Sequence, residues 1–256
     1  MADTTEISFD SYDLQTSEIK TRSINHKQYP SRVIDIESNL RTADFKFIAS
    51  YWDKKIVTVK GSLTATTSTA LRTLIDDMKN NLQGIEKNLD IDYGNGTIRY
   101  TATVQSLEIP DDFYYITHVP FTIEFLCQPY ARSTTSTNSS LDGITTSPKS
   151  HSFVVTGSSD PLPEITLTIN NETTMTEIEF NNVTTSDTIT ITRAFSDAEV
   201  LVIDCKNQTV KVDDVDVDFV GVLPRFDTGT NSCTITITDG GAFNVDLDID
   251  YYSHYL

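Results

Sequence analysis

The residues with the greatest intrinsic reactivity in this 256-residue chain are three cysteines, Cys127, Cys205 and Cys233. Each stands in a strand-like pattern on the same phase as apolar neighbours, so its side chain is expected to point into a core. For Cys127 the nearest histidine in the sequence is His118, which lies on the opposite phase of the same strand. Because a buried thiol in apolar surroundings is inert, the sequence predicts three core cysteines and no cysteine nucleophile.

Metal and cofactor sites have no signature in this sequence. Neither Cys-x-x-Cys nor His-Glu-x-x-His occurs, and there is no glycine-rich nucleotide-binding loop. The acidic run 213–218 suggests a calcium loop at first sight, but Phe219 stands where such a loop needs glycine. The alternation of Asp and Val in this run favours one strand with a solvent-facing side. We therefore expect no metal, no cofactor and no catalytic residue. A pair of glycosidase carboxylates is the one type of site that this search does not address, because such a pair has no characteristic spacing in a sequence.

The net charge of -18 argues against one class of partner. The acidic excess is concentrated in residues 132–256, where 19 Asp and Glu stand against 6 Lys and Arg; residues 1–131 have 18 against 13. Such a surface repels phosphate backbones, so no specific nucleic-acid binding is expected. No stretch approaches eighteen consecutive apolar residues, and we expect no membrane partner either.

Alternating strand patterns dominate the first half of the chain, with one helical segment among them. This segment runs from Thr69 to Gln83. Its apolar residues recur at steps of three and four: Leu71, Leu74, Ile75, Met78 and Leu82. Between Leu89 and Ile109 two alternating runs are separated by Gly94-Asn95-Gly96, which predicts a β-hairpin.

Residues 132–150 are rich in Ser and Thr and have little apolar surface to bury, which is typical of a linker. This stretch separates a first domain at 1–131 from a second domain at 151–256. In the second domain short alternating runs follow one another without any helical period. The pattern predicts an all-β antiparallel sandwich of two sheets. The whole chain is therefore expected to be mainly β.

The order of these elements resembles the distal tail protein (Dit) family of long-tailed, siphovirus-type bacteriophages. In the first half the resemblance rests on "IVTVKGSL", "LRTLIDDMKNNL", "LDIDYGNGTIRYTATVQSLEI" and "VPFTIEFLCQPYAR". In the second half it rests on "PEITLTIN", "ITITRAF", "VLVIDCKNQTVKV", "LPRFDTGTNSCTITIT" and "VDLDIDYYSHYL". The resemblance implies an N-terminal split β-barrel with one α-helix and a β-hairpin, followed by a galectin-like β-sandwich.

The resemblance also implies a structural role in the virion and no catalytic activity. Members of this family form a hexameric ring at the tail tip, which joins the tail-tube protein to a hub protein or tail-associated lysin. Their peripheral domains can carry a receptor-binding protein. The chain is therefore expected to be a non-enzymatic baseplate protein that is synthesised in the host cytoplasm and ends in the phage tail.

A carbohydrate-binding virion module for host-surface adhesion is the alternative from another class, because β-sandwiches often host lectin sites. Its candidate exposed aromatic residues are Tyr251, Tyr252 and Tyr255. The second half lacks the His-Asn-Arg and Trp set with which galectins hold galactose, which argues against sugar binding. A β-sandwich hydrolase is the remaining alternative.

The split barrel implied by the resemblance leaves a strand edge with free N–H and C=O groups, which a neighbouring copy can pair. The predicted hairpin is the element expected to reach across. Its candidate interface residues are Tyr93, Asn95, Thr97, Arg99 and Tyr100. The apolar stripe of the helix is expected to face the core instead.

Overall fold

The computed structural model describes residues 6–39, 44–94, 96–110, 117–171, 175–238 and 241–256. The chain divides into two compact units, Met1–Thr134 and Thr135–Tyr255. We call them the N-terminal unit and the C-terminal unit. Within the described ranges no helix is long and apolar enough to cross a membrane.

The N-terminal unit is mainly antiparallel β-structure. Its elements are β1 (Glu6–Phe9), β2 (Tyr12–Asp13), β3 (Ile19–Asn25), β4 (Arg32–Asn39), β5 (Asp44–Trp52), β6 (Lys55–Thr64), α1 (Ser68–Asn81), β7 (Lys87–Asp92), β8 (Thr97–Glu108), β9 (His118–Cys127) and β10 (Ala131–Ser133). The main sheet has the strand order β2-β1-β7-β8-β9-β6-β3, and β10 pairs with β8. This order is an open path, in agreement with a split barrel rather than a closed one. Strands β4 and β5 form a separate two-stranded sheet.

Helix α1 confirms the helical pattern in the sequence. It begins after Thr67, whose hydroxyl accepts a hydrogen bond from the backbone N–H of Ala70 at 3.2 Å, as expected for an N-cap. Leu71 and Met78 on the helix and Leu82 just after it are buried. The apolar stripe therefore faces the core, as predicted.

The C-terminal unit has two antiparallel sheets. Its strands are β11 (Thr137–Ile144), β12 (Lys149–Val155), β13 (Glu164–Asn171), β14 (Glu177–Asn182), β15 (Asp187–Thr192), β16 (Val200–Asp204), β17 (Thr209–Val212), β18 (Val215–Asp216), β19 (Val220–Gly221), β20 (Gly229–Thr238), β21 (Asn244–Tyr251) and β22 (His254–Tyr255). One sheet has the order β11-β21-β13-β16-β17-β18 and the other β12-β20-β14-β15-β19. Alternate residues of both sheets enter one buried core, for example Ile165, Phe180 and Leu247. The predicted mainly β architecture with an antiparallel β-sandwich is confirmed.

The stretch 132–150 contains more regular structure than its composition indicates. It includes β11 and the start of β12, and β11 pairs with β21 from Thr137↔Tyr251 to Ile144↔Val245. Strand β11 lies at the edge of its sheet, and most of its residues are exposed. Backbone hydrogen bonds hold such a strand without apolar side chains, so the absence of apolar residues did not indicate a linker. The interpretation of 137–144 as linker was wrong.

Candidate assembly surfaces

The three cysteines occupy the core positions predicted for them. Cys127, Cys205 and Cys233 are free and buried, with 3%, 6% and 0% of their surface exposed. Burial raises the pKa of each thiol to about 12. A thiol with such a pKa is almost entirely protonated at neutral pH, so these side chains are poor nucleophiles.

A buried polar contact lies beside Cys127. Lys55 is the partner of Cys127 in the register of β6 against β9 and is itself only 3% exposed. Its ammonium group donates a hydrogen bond to the hydroxyl of Tyr100 at 3.0 Å, and burial lowers the pKa of Lys55. Tyr100 is 2% exposed. It is therefore a core residue of the N-terminal unit and not the interface residue that the sequence suggested.

The other predicted interface residues lie on the β7–β8 hairpin, except that Asn95 is outside the described residues. Tyr93 and Thr97 are half-buried. Arg99 donates to both carboxylate oxygens of Asp90, each at 2.7 Å, and this bidentate pair lies within the hairpin. Strand β8 has no open edge at this place, because β10 pairs with Ile98 and Arg99. Arg99 therefore has an internal partner, and the contact of Tyr93, Thr97 and Arg99 with a neighbouring copy stays a prediction.

The structure also corrects the interpretation of the acidic run 213–218. This run is a turn followed by the two-residue strand β18, not one continuous strand. Asp213 and Asp214 have φ values of 49° and 65°, as at the centre of a tight hairpin turn. Val215 is 65% exposed, so the alternation of Asp and Val does not produce one dry face here. Within the described part of the chain, no group of three or more His, Cys, Asp and Glu is placed to hold a metal ion.

In the C-terminal unit the side chains of Ser139 and His151 are in contact. The Ser139 hydroxyl lies 2.8 Å from Nε2 of His151, and burial lowers the pKa of this histidine. A hydrolytic triad also requires a carboxylate on the other ring nitrogen, and no described carboxylate is hydrogen-bonded to His151. The pair links two edge strands, β11 and β12, and its geometry is that of a structural contact.

The aromatic residues at the end of the chain only partly form the surface patch that the sequence suggested. Tyr251 is 2% exposed and donates a hydrogen bond to the carbonyl oxygen of Val154 at 2.8 Å. Tyr252 is exposed and Tyr255 is half-buried. Tyr251 therefore belongs to the core, and it is not available for stacking on a sugar ring.

The β4–β5 hairpin was not predicted from the sequence. The two strands pair from Arg32↔Trp52 to Asn39↔Asp44, and within the described residues neither pairs with any other strand. A two-stranded hairpin that stands alone is at best marginally stable in water, so this element gains from packing against a neighbour. The signal was present in "RVIDIESN" and "DFKFIASYW", in which apolar residues alternate on both sides of a short gap.

The base of the β4–β5 hairpin exposes apolar and aromatic side chains. Ile34 is 47% exposed, Tyr51 56% and Tyr29 74%. The Tyr29 ring stacks on Trp52 with a centroid distance of 6.1 Å, and the Arg32 guanidinium lies 5.4 Å from the Trp52 ring. Exposed aromatic and aliphatic groups next to an arginine are typical of surfaces that bind another molecule.

Comparison with known proteins agrees with this architecture. Residues 156–255 match the family described as siphovirus-type tail component, C-terminal domain. The crystal structure of the Dit protein (gp 19.1) of phage SPP1, described as a paradigm of hub adsorption apparatus in phages that infect Gram-positive bacteria, is similar with a TM-score of 0.73. Sequence identity to it is 12%, and the alignment covers 99% of this chain and 100% of that one.

Two further matches come from the baseplate of phage P2 in its activated conformation. The structure with Ca has a TM-score of 0.48 at 7% identity and covers 97% of both chains. The structure with Sr has a TM-score of 0.46 at 6% identity and covers 95% of this chain and 97% of the other. No curated protein sequence matches this chain. The family match and the SPP1 fold together confirm the resemblance to distal tail proteins.

Proposed function

We propose that this chain, whose residues 156–255 match the C-terminal domain of siphovirus-type tail components, is a structural adaptor at the phage tail tip that assembles as a hexameric ring. The observation that carries the proposal is the β4–β5 hairpin, a two-stranded sheet that pairs only with itself among the described strands. Its exposed base gives it apolar surface to bury against another copy. The fold shared with SPP1 Dit over 99% of this chain supports the same role.

The ring follows from the type of contact. A hairpin of one copy that packs on a different surface of the next copy makes a head-to-tail contact, and repetition of such a contact closes into a ring or continues as a filament. An adaptor between a tail tube and a tip needs the closed form. In this proposal the N-terminal unit forms the ring, and the C-terminal unit, which includes β11, forms a separate peripheral domain.

The proposed partners are those of a tail-tip adaptor. One face of the ring would bind the tail-tube protein, and the other would bind the hub protein or tail-associated lysin. The peripheral domain would offer a site for a receptor-binding protein. The role is non-enzymatic, which fits the three inert thiols and the serine–histidine pair without a bound carboxylate.

The test is direct imaging of the purified protein by negative-stain electron microscopy, together with its mass by light scattering at rising concentration. We expect rings of six copies. Ile34→Asp places a charge on the exposed base of the hairpin and should reduce ring formation, whereas Val154→Asp, at a 60% exposed valine of the C-terminal unit, should not. A protein that stays monomeric up to millimolar concentration, with and without tail-tube protein, would contradict the proposal.

A carbohydrate-binding role is the second candidate, and one observation favours it. The exposed ring of Tyr29 stands beside a recess of about 220 Å³ whose lining includes Gln28, Ser31 and Asp53. An aromatic face beside amide, hydroxyl and carboxylate groups is suited to a sugar ring and its hydroxyls. Binding to a glycan array that is lost in Tyr29→Ala, with ring formation intact, would support this role. Absence of binding to any glycan would exclude it.

A further inference from the structure

One lateral edge of the sandwich in the C-terminal unit is formed by residues 213–222, which we call the β18–β19 edge. This segment contains β18, the outermost strand of one sheet, and β19, the outermost strand of the other, so it passes from sheet to sheet. Among the strands that the structure describes, β18 pairs with β17 alone and β19 with β15 alone. An outermost strand presents backbone N–H and C=O groups that another chain can pair.

The β18–β19 edge exposes apolar side chains. Val215 is 65% exposed, Phe219 38%, Val220 75% and Val222 57%. In the described part of the C-terminal unit eight large apolar side chains are exposed, and these four are half of them. Single exposed apolar residues are common on protein surfaces, whereas a concentration of them on one edge is typical of a surface that another molecule covers.

Carboxylates are interspersed with these apolar side chains. All of them are exposed, and none forms an ion pair with a residue that the structure describes: Asp213, Asp214, Asp216 and Asp218. Lys211 is the partner of Asp216 in the register of β17 against β18, but these two side chains form no ion pair. The edge therefore combines exposed apolar groups with negative charge that has no cation beside it.

The charge of the β18–β19 edge decides between the possible occupants. If two copies paired through this edge, each would bring four carboxylates to the contact, and like charges on neighbouring strands are unfavourable. Charged side chains on an edge strand are a common protection against the pairing of identical edges. Nucleic acid is disfavoured for the same reason, because it is also negatively charged. A cationic protein surface, by contrast, gains from the same four carboxylates.

We infer that the β18–β19 edge binds a partner protein through an extended segment in which apolar residues alternate with Lys or Arg. The apolar side chains of this segment cover Val215, Val220 and Val222, and its cations face Asp216 and Asp218. Hydrogen bonds between main chains give such strand addition its affinity, and the alternating side chains and charges give it specificity. The inference rests on the proposed function in that it names the surface with which the peripheral domain holds a partner.

Two synthetic peptides test the inference with the full chain. Both are about ten residues long, the length of a long strand, and in both valine alternates with a charged residue. The charged residue is lysine in one peptide and glutamate in the other. Fluorescence anisotropy of the labelled peptides measures binding. We expect the lysine peptide to bind and the glutamate peptide not to bind, because only the first complements the carboxylates of the edge.

Two variants of the edge separate its apolar part from its charge. Val220→Ser/Val222→Ser removes apolar groups and leaves the charge unchanged, whereas Asp216→Asn/Asp218→Asn removes two charges. All four residues are exposed, so both variants are expected to fold, and circular dichroism checks this. Each variant should bind the lysine peptide about 10-fold more weakly than the wild type.

Matched controls come from other exposed positions of the C-terminal unit. Val154→Ser/Val183→Ser changes two valines that are 60% and 54% exposed, and Asp142→Asn/Asp197→Asn removes the same charge from two exposed residues. Both controls should bind the lysine peptide like the wild type. Hydrogen exchange of the wild type tests the edge without any substitution, since the bound lysine peptide should slow exchange of the amides in 213–222.

The inference is supported if the lysine peptide binds, both edge variants weaken its binding and both controls do not. No binding of the lysine peptide overturns the inference. Equal binding by the edge variants and the controls, or unchanged exchange at 213–222, also overturns it, because the peptide would then be attracted by the acidic unit as a whole. Self-association of the wild type that Val220→Ser/Val222→Ser abolishes overturns it too, since a second copy would occupy the edge. Rings without peptide binding contradict this inference alone, whereas the absence of rings contradicts the proposed function.

Discussion

The contact between Lys55 and Tyr100 provides a direct test that Tyr100 is a core residue and not an interface residue. Both side chains are nearly inaccessible, with exposures of 3% and 2%. The Lys55 ammonium group donates to the Tyr100 hydroxyl at 3.0 Å and lies 5.1 Å from the centre of its ring. Tyr100→Phe removes a hydrogen-bond acceptor from this buried amine. Hydrogen bonds to charged groups contribute about 1.5–3 kcal/mol, so we expect the free energy of unfolding to fall by about 2 kcal/mol.

The double variant Lys55→Met/Tyr100→Phe tests whether the loss of stability comes from the buried amine that is left without its partner. It removes both polar partners and leaves apolar groups of similar size, an exchange that is often neutral for a buried polar pair. We expect it to be more stable than Tyr100→Phe alone by about 1 kcal/mol or more. Urea denaturation of the wild type and the variants measures these differences, with the m-value held constant between them. A Tyr100→Phe protein that unfolds within about 0.5 kcal/mol of the wild type but assembles poorly would refute the core assignment.

The remaining predictions concern the thiol, an ion pair and the division of the chain. Cys127→Ser should lower the free energy of unfolding by about 1–3 kcal/mol through a poorly satisfied buried hydroxyl, and iodoacetamide should label native Cys127 slowly; rapid labelling would contradict its burial. Burial raises the pKa of Asp187, but hydrogen bonds from Arg225 and its charge outweigh this, so the pKa lies below its usual value. The ionised Asp187 carboxylate therefore stabilises the fold at pH values above the pKa that Asp187 has in the unfolded chain, and this contribution is lost as the pH falls through its pKa in the folded protein. In acid titrations, the free energy of unfolding of Asp187→Asn should fall less below about pH 4 than that of the wild type. The fragment 135–256 should unfold cooperatively on its own when followed by circular dichroism, and a fragment without a cooperative transition would contradict the independence of the C-terminal unit.

The sequence predicted the features that depend on local phase. The positions of Cys127 and Met78 follow from the periods of two and 3.6 residues, because burial of one face imposes these periods on strands and helices. Tyr100 was predictable by the same rule, since it is in phase with Ala102 on β8, and Ala102 is buried. The interface assignment of Tyr100 failed because it started from the turn of the hairpin and did not use the phase of the strand.

Other features depend on pairing over long sequence distances, which local patterns do not contain. Strand β11 exists because β21, about a hundred residues later, supplies its hydrogen-bond partners. Its own composition gives no sign of this. The pairing of β10 with the edge of β8 also joins residues that are far apart in the sequence, Arg132 with Arg99 and Ser133 with Ile98.

The residues that hold the core and the residues proposed for assembly are different in this protein, and this difference decides how the variants are to be interpreted. Tyr100 and Cys127 are almost fully buried, whereas Ile34 is exposed. Substitutions at exposed positions usually change the free energy of unfolding by no more than about 0.5 kcal/mol. A variant at Ile34 that unfolds like the wild type but no longer assembles has therefore lost an intermolecular contact. A variant at Tyr100 that is less stable and also fails to assemble has lost its fold, so its failure to assemble carries no information about the interface.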